Sequence, residues 1–382
     1  MNTSRVCGRL GGVAAIGAAI FLSGAGYAAD LSAPDGLKDT PGLAGDAPQG
    51  GDVHATIPAG VTGAAMVGQG EGMVMYMPMY MNMQGNYIGV NKVSTATILN
   101  TLNESGGGPK YLRMVPEDMD GQMHMFGAMY GVTNAINIMV MGNYTEKDMS
   151  MSTYYKSPMQ GISPLVGTRT YTTDGLGDVS VTGLFRIYED GVNHIHVNLG
   201  LSLPTGSTTE QMNMLTPMSL TPSYMLMRAT YGMQLGTGTY DLLPGLTYTA
   251  DKDLWSWGAA YRGRIALDSD QGYHWGDTHQ VTGWLGYTFI PGVTGTARIA
   301  GTVQGKIDGK DPQIFGGMQG ASPANYGGER VDLFGGIEIA GHEFGLGHTR
   351  LAIEAGAPLY QNLNGPQIGE NWQLNAVLAV RF

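Results

Sequence analysis

The chain has 382 residues, a formal net charge of −11, 61 glycines and 20 tyrosines, with a mean hydropathy of −0.07. An acidic chain is a poor partner for nucleic acid and is better suited to cations or neutral solutes. A single cysteine, Cys7, excludes a disulfide framework.

Residues 1–28 read as a secretory signal peptide: Arg5 and Arg9, an apolar run from Leu10 to Leu22, then Gly26 and Ala28 before a cut. Cys7 precedes that run and is expected to leave with it, which also excludes thiol catalysis and cysteine-ligated zinc. Without Arg5 and Arg9, 18 basic residues face 31 acidic ones, a net charge of −13. Residues 29–72, rich in Gly, Ala, Pro and Asp without periodicity, are expected to form a flexible periplasmic arm, the other reading being a plug.

No later stretch reaches the roughly 18 apolar residues of a spanning helix. A membrane form must therefore be a closed β-barrel, expected over residues 73–382. In "HIHVNLGLSL", Ile195, Val197, Leu199 and Leu201 alternate with His194, His196, Asn198 and Ser202. "DVSVTGLFRI", "WSWGAAYRGRIAL" and "NWQLNAVLAVRF" alternate likewise, and a terminal Phe382 resembles the assembly signal of outer-membrane barrels. Twelve antiparallel strands are expected near 73–83, 121–130, 136–145, 178–187, 194–203, 238–249, 254–266, 277–289, 294–306, 329–339, 349–359 and 371–382. Short turns such as "YEDGVN" and "IPGV" alternate with mostly longer segments, which places the turns in the periplasm and the long loops outside a Gram-negative cell.

From about residue 66 onward, "GLGDVSVTGLFRIYED", "HIHVNLGLSLPTGS", "QLGTGTYDLLPGLTY" and "WSWGAAYRGRIAL" resemble the transporter family named for a meta-pathway of phenol degradation. The resemblance implies an outer-membrane channel for small solutes, and the family name points to aromatic or apolar compounds. The methionine content is similar to that of relatives associated with copper handling.

The most unusual stretch is "GEGMVMYMPMYMNMQGN", with methionine at every odd position from Met73 to Met83. In "INIMVMGNY", Met139 and Met141 share the face of Asn137 and Asn143, so they point inward; Met123, Met125 and Met129 follow the same rule. Met75, Met77, Met79, Met81, Met123, Met125, Met129, Met139 and Met141 are thus expected to form a thioether wall in the lumen. Such a wall suits Cu(I) or Ag(I) as cargo, or it is apolar filler. Met149, Met151, Met212, Met214, Met225 and Met227 repeat the two-residue spacing in outer loops. His194 and His196, two apart, are a further candidate pair for a metal.

The expected inward charges are Asp178, Arg186, Asp241, Arg262, Arg264, Arg298, Arg330, Asp332, Glu338, Arg350, Glu354 and Arg381. They are expected to pair across strands or to act in selectivity, with Glu338 near Arg350 and Arg381 within reach of Arg350. No resident cofactor is implied; the partners are outer-membrane lipid and a small solute or metal ion. No enzyme is expected. "HEFGLGH" lacks HExxH helical spacing, and no serine stands two residues after any of the eight histidines, as a barrel phospholipase would require. A non-transporting adhesin or metal-binding receptor is the alternative.

Overall fold

The computed structural model describes residues 56–156 and 163–382; the expected signal peptide and most of the expected arm lie outside the described residues. Eleven strand elements close a barrel: β1 (Gly72–Gly89), β2 (Met114–Gly131), β3 (Ile136–Tyr154), β4 (Val179–Glu189), β5 (Asn193–Leu203), β6 (Asp241–Lys252), β7 (Trp255–Ala266), β8 (Thr278–Ile290), β9 (Val293–Gln304), β10 (Gly328–Ala340) and β11 (Thr349–Arg381). Each pairs antiparallel with its sequence neighbour, and β11 pairs with β1 to close the ring. Two strands of the same sheet, Asn91–Val93 and Leu165–Leu176, stand outside the ring and extend β1 and β3. Among the described residues no helix is long and apolar enough to cross a membrane.

β11 does not run straight. Its first part pairs with β10, from Arg350 opposite Ala340 to Leu363 opposite Gly328; its last part pairs with β1, ending with Arg381 opposite Met73. The Arg381 N–H donates to the His348 carbonyl at 3.1 Å, so both ends of β11 meet at one rim. The chain reverses near Gly365, whose φ of +64° is left-handed backbone that suits glycine.

Alternation along the strands turns this fold inside out relative to a water-soluble one. Phe126, Ile138, Leu199, Leu285, Ile299 and Leu378 stand exposed on the outer wall, whereas Thr182, Asn198, Thr247, Thr282 and Asn375 are buried on the inner face. A period of two allows this, because successive side chains leave opposite faces. One aromatic pair lies near strand ends, Trp255 on Tyr287 at 4.8 Å between centroids, and another, Tyr80 on Trp372 at 5.2 Å, joins β1 to β11.

The first three strands are longer than expected. β1, β2 and β3 run 18, 18 and 19 residues, and the β2–β3 ladder continues to Met114 opposite Thr153. Segments expected as loops at 84–120 and 146–177 therefore contain paired wall. The reason is that backbone pairing does not stop where apolar alternation stops; Leu165–Leu176 covers the far half of β3 and satisfies its backbone there.

The wall orientation is testable. Leu199 is 53% exposed on the outer face, and Leu199→Arg is expected to cost roughly 2–4 kcal/mol in a bilayer. Heat-modifiable mobility on gels should show poor assembly of Leu199→Arg and normal assembly of Leu199→Ile; equal assembly of Leu199→Arg would reverse the register.

Candidate functional site

Residues 56–71, expected to belong to a free arm, run along the inner face of the barrel. Apart from Gln69 and Glu71 their side chains are small or apolar, and the lumen wall supplies hydrogen bonds to their backbone. Trp284 Nε1 donates to the Thr56 carbonyl at 3.0 Å, and the Ile57 N–H donates to Glu338 Oε2 at 3.1 Å. The Gly60 N–H donates to Glu354 Oε1 at 3.0 Å. At Gly63 the carbonyl accepts from Asn198 Nδ2 at 3.1 Å and from His196 Nε2 at 3.0 Å. A carbonyl only accepts, so Nε2 of His196 carries the proton. Asn137 then holds Val67 by both amide atoms, accepting its N–H at 2.8 Å and donating to its carbonyl at 3.0 Å. The segment thus crosses from the β8–β11 side to β5 and returns to β3, before Gly72 begins β1.

Glycine is required where this segment meets the wall. A Cβ on Gly60 would overlap Glu354 Oε1 and the Arg298 guanidinium, and Gly63 has a φ of +68°. Ile57, Val61 and Ala64 pack on Ala260 and Trp284, Ala59 packs with Met77, Ala352 and Val377, and Val67 packs with Met129, Met139 and Leu184.

The inward charges form pairs beneath and around this segment. Arg298 Nε donates to Glu354 Oε2 at 3.1 Å, with both side chains nearly fully buried, and Asn375 Nδ2 donates to Glu354 Oε1 at 2.9 Å. Glu338 and Arg350 pair at 2.9 Å as expected, and the same guanidinium bonds the Ile57 carbonyl. Arg330 pairs with Asp332 at 2.8 Å and with Glu370, an inward carboxylate not anticipated from sequence. Arg264 lies 3.8 Å from Asp241, whose Oδ1 accepts from Thr239 Oγ1 at 2.6 Å. Asp178 instead ties the long-loop end, accepting from Gly206 N at 2.9 Å and Thr237 N at 2.7 Å. Arg186 pairs with Glu189. Arg381 lies 3.8 Å from Glu71 and 3.3 Å from His348. Arg262 has no hydrogen-bond or ion-pair partner among the described residues.

Met73, Met75 and Met77 of β1 pack with Ala59 or Val67 of the segment 56–71. Met73 lies opposite Met129, Met77 opposite Met125 and Met79 opposite Met123, while Met129 lies opposite Met139 on the next strand. Met75, Met77, Met125 and Met141 gather around Ala59, and Met129 and Met139 around Val67; Met79, Met81 and Met123 remain outside both groups. The two histidines make separate contacts, His196 with Gly63 and His194 with Glu189 at 3.3 Å. Among the described residues no three His, Cys, Asp or Glu side chains are grouped to hold a metal ion.

Above the lumen, the long-loop segments fold into a cap with its own core. Met114, Met149, Met151, Met212, Met214, Met233 and Met318 are buried there with Tyr171, Tyr231 and Tyr273. The outer-loop methionines Met149, Met151, Met212 and Met214 are therefore packing residues. Tyr231 meets Tyr273 edge-on at 4.7 Å and Tyr326 at 5.8 Å, and burial raises the pKa of all three phenols. Lys147 on β3 ties the cap down through the carbonyls of Gly232 at 3.0 Å and Gln234 at 2.6 Å.

Neither a family model nor a curated protein sequence matches the chain. Among solved structures, an outer-membrane channel from Pseudomonas putida F1 is similar with a TM-score of 0.53 and 13% identity, over 84% of this chain and 99% of that one. A FadL homologue of Pseudomonas aeruginosa (TM-score 0.40, 7% identity, 81% and 89% covered) and the toluene transporter TodX of P. putida (TM-score 0.40, 8% identity, 82% and 90% covered) are more distant. At such identities the likeness to the channel is one of fold.

Two substitutions probe the threaded segment. Gly60→Val is expected to expel it while leaving the wall assembled, read as a rise in single-channel conductance. Glu354→Ala, which strands the Arg298 charge, is expected to cost about 3–5 kcal/mol in a denaturant titration, and Arg298→Met with Glu354→Leu together should cost less.

Proposed function

We propose that this chain is an outer-membrane channel for small apolar solutes. The observation that supports the reading best is the run of methionines paired across β1–β3, several packed on residues 56–71, which in this reading forms an apolar stripe of the lumen wall. Methionine suits this task because its unbranched, polarisable side chain adapts to solutes of different shape. In this reading the apolar outer wall contacts membrane lipid, the short turns face the periplasm, and the cap faces outward. The two parts of β11 count as two crossings, which makes twelve and leaves both ends of the barrel in the periplasm. Membership of the phenol meta-pathway family fits the same reading and narrows the solute to aromatic compounds. No reaction is assigned to it.

The alternative, a non-transporting surface protein, draws on the hairpin at Gln211–Leu215 and Tyr224–Arg228, whose Tyr224, Met225 and Leu226 are exposed. Transport separates the two. Cells producing the protein should take up labelled toluene faster than cells lacking it, and Met79→Lys with Met123→Lys should slow that uptake by interrupting the apolar stripe. A surface protein would leave uptake unchanged in all three strains, and Gly60→Val would open no conductance.

A further inference from the structure

The inward methionines divide into two groups. Seven of them pack hydrocarbon: Met73, Met75, Met77, Met125, Met129, Met139 and Met141 belong to or pack on the clusters around Ala59 and Val67 of the threaded segment. Met79, Met81 and Met123 join no apolar cluster and stand half-buried along the wall. Met79 lies directly opposite Met123, and Met81 lies opposite Gly121. The absent side chain at Gly121 leaves space for Met81, whose Cε would sit 3.8 Å from a Cβ built there. Directly opposed residues have Cβ atoms about 4.5–5.5 Å apart and diagonal ones about 7–8 Å, which puts Met79 beside Met123 and Met81 on the diagonal from Met123.

Their surroundings are polar. The sulfur of Met79 accepts a hydrogen bond from Gln373 Nε2 at 3.3 Å, and that amide also donates to Asn375 Oδ1 at 2.7 Å. Glu370, opposite Met83 across β1–β11, is 4% exposed. One of its oxygens pairs with Arg330, while the other, Oε1, is buried without a hydrogen-bond partner among the described residues. A methionine that serves only as filler is enclosed by other apolar groups, as those seven are. Of the other three, Met79 has its sulfur on the Gln373 amide, and Glu370 is paired opposite Met83, two residues along β1 from Met81.

We propose that Met79, Met81 and Met123 form a thioether site for a soft monovalent cation of the Cu(I) or Ag(I) class, with Glu370 supplying negative charge beside it. Thioether sulfur is a neutral soft donor that binds such ions without losing a proton. A site of weak donors lets an ion enter and leave again, as conduction requires. The proposal rests on the channel reading only for the ion's route into the lumen.

Ag(I) is the probe, because it needs no reductant. The full-length protein in detergent is loaded with Ag(I), passed through gel filtration, and its retained silver measured by elemental mass spectrometry. The wild type should retain one silver ion more than Met79→Leu/Met81→Leu/Met123→Leu, which keeps the apolar bulk and removes the sulfurs. Met75→Leu/Met77→Leu/Met141→Leu should retain as much as the wild type. Equal retention by the wild type and the first variant overturns the site, and so does a loss confined to the second. Should the first triple variant fail to assemble, Met123→Leu alone is expected to weaken silver affinity about tenfold, or 1.4 kcal/mol; unchanged affinity there is equally fatal. A chain that binds silver as described but takes up no toluene refutes the channel reading and leaves the site standing.

Discussion

The ladder between β1 and the last part of β11 is the contact on which everything else depends. Lipid offers no hydrogen-bond partners, so a strand crossing it must have both edges paired. Until β11 meets β1, two edges are open; afterwards none is. Closure also fixes the parity of every strand. A slip of one residue at any ladder would turn Leu199 inward and Asn198 toward lipid, and similar exchanges would follow along the whole strand.

Closure creates a second difficulty inside. The inner face must hold Arg298, Glu354, Glu338 and Arg350, charges that are expensive to bury unless paired and hydrogen-bonded. Residues 56–71 resolve part of this. The backbone N–H groups of Ile57 and Gly60 give Glu338 and Glu354 donors beyond their arginines, and the Ile57 carbonyl takes a bond from Arg350. Segment and wall are thus mutually satisfying: the polar wall holds an unstructured stretch in one path, and that stretch completes the wall's hydrogen bonding. Small residues are needed because the space beside the ion pairs accommodates little more than backbone, as Gly60 shows.

Much of the barrel was legible because one physical rule governs it. Where lipid lies on one side and polar contacts on the other, as in "HIHVNLGLSL", the period of two is written in the residues themselves. The inward direction of Met139 and Met141 followed from sharing a face with Asn137 and Asn143. Legibility failed where no such contrast exists. In the far half of β3, "TEKDMSMST", only Met149 and Met151 are apolar, and they face the cap core rather than an outer apolar wall, so the alternation is too short to read as wall although the stretch is fully paired. "TIPAGVTGAAMVGQG" lacks periodicity because it lies in no regular element, and its small residues resemble those of a linker. Their bias toward Gly, Ala, Val and Thr was the available signal, and composition alone does not distinguish a narrow passage from a flexible tether. The division of the methionine wall was equally hidden, since it depends on where that segment passes.

The sequence separations of these contacts dictate an order of assembly. Consecutive strands can pair hairpin by hairpin, each step closing a loop far shorter than the ring. The contacts of Ile57 with Glu338 and of Gly60 with Glu354 span 281 and 294 residues, and closing loops of that size is favourable only after the intervening chain is ordered. Their partners lie on β10 and β11, the last elements of the ring to be added. The segment that comes first in the chain is therefore among the last parts to find its place. It is enclosed as the final strands arrive, a ship built inside its bottle, with no need to be threaded through a finished pore.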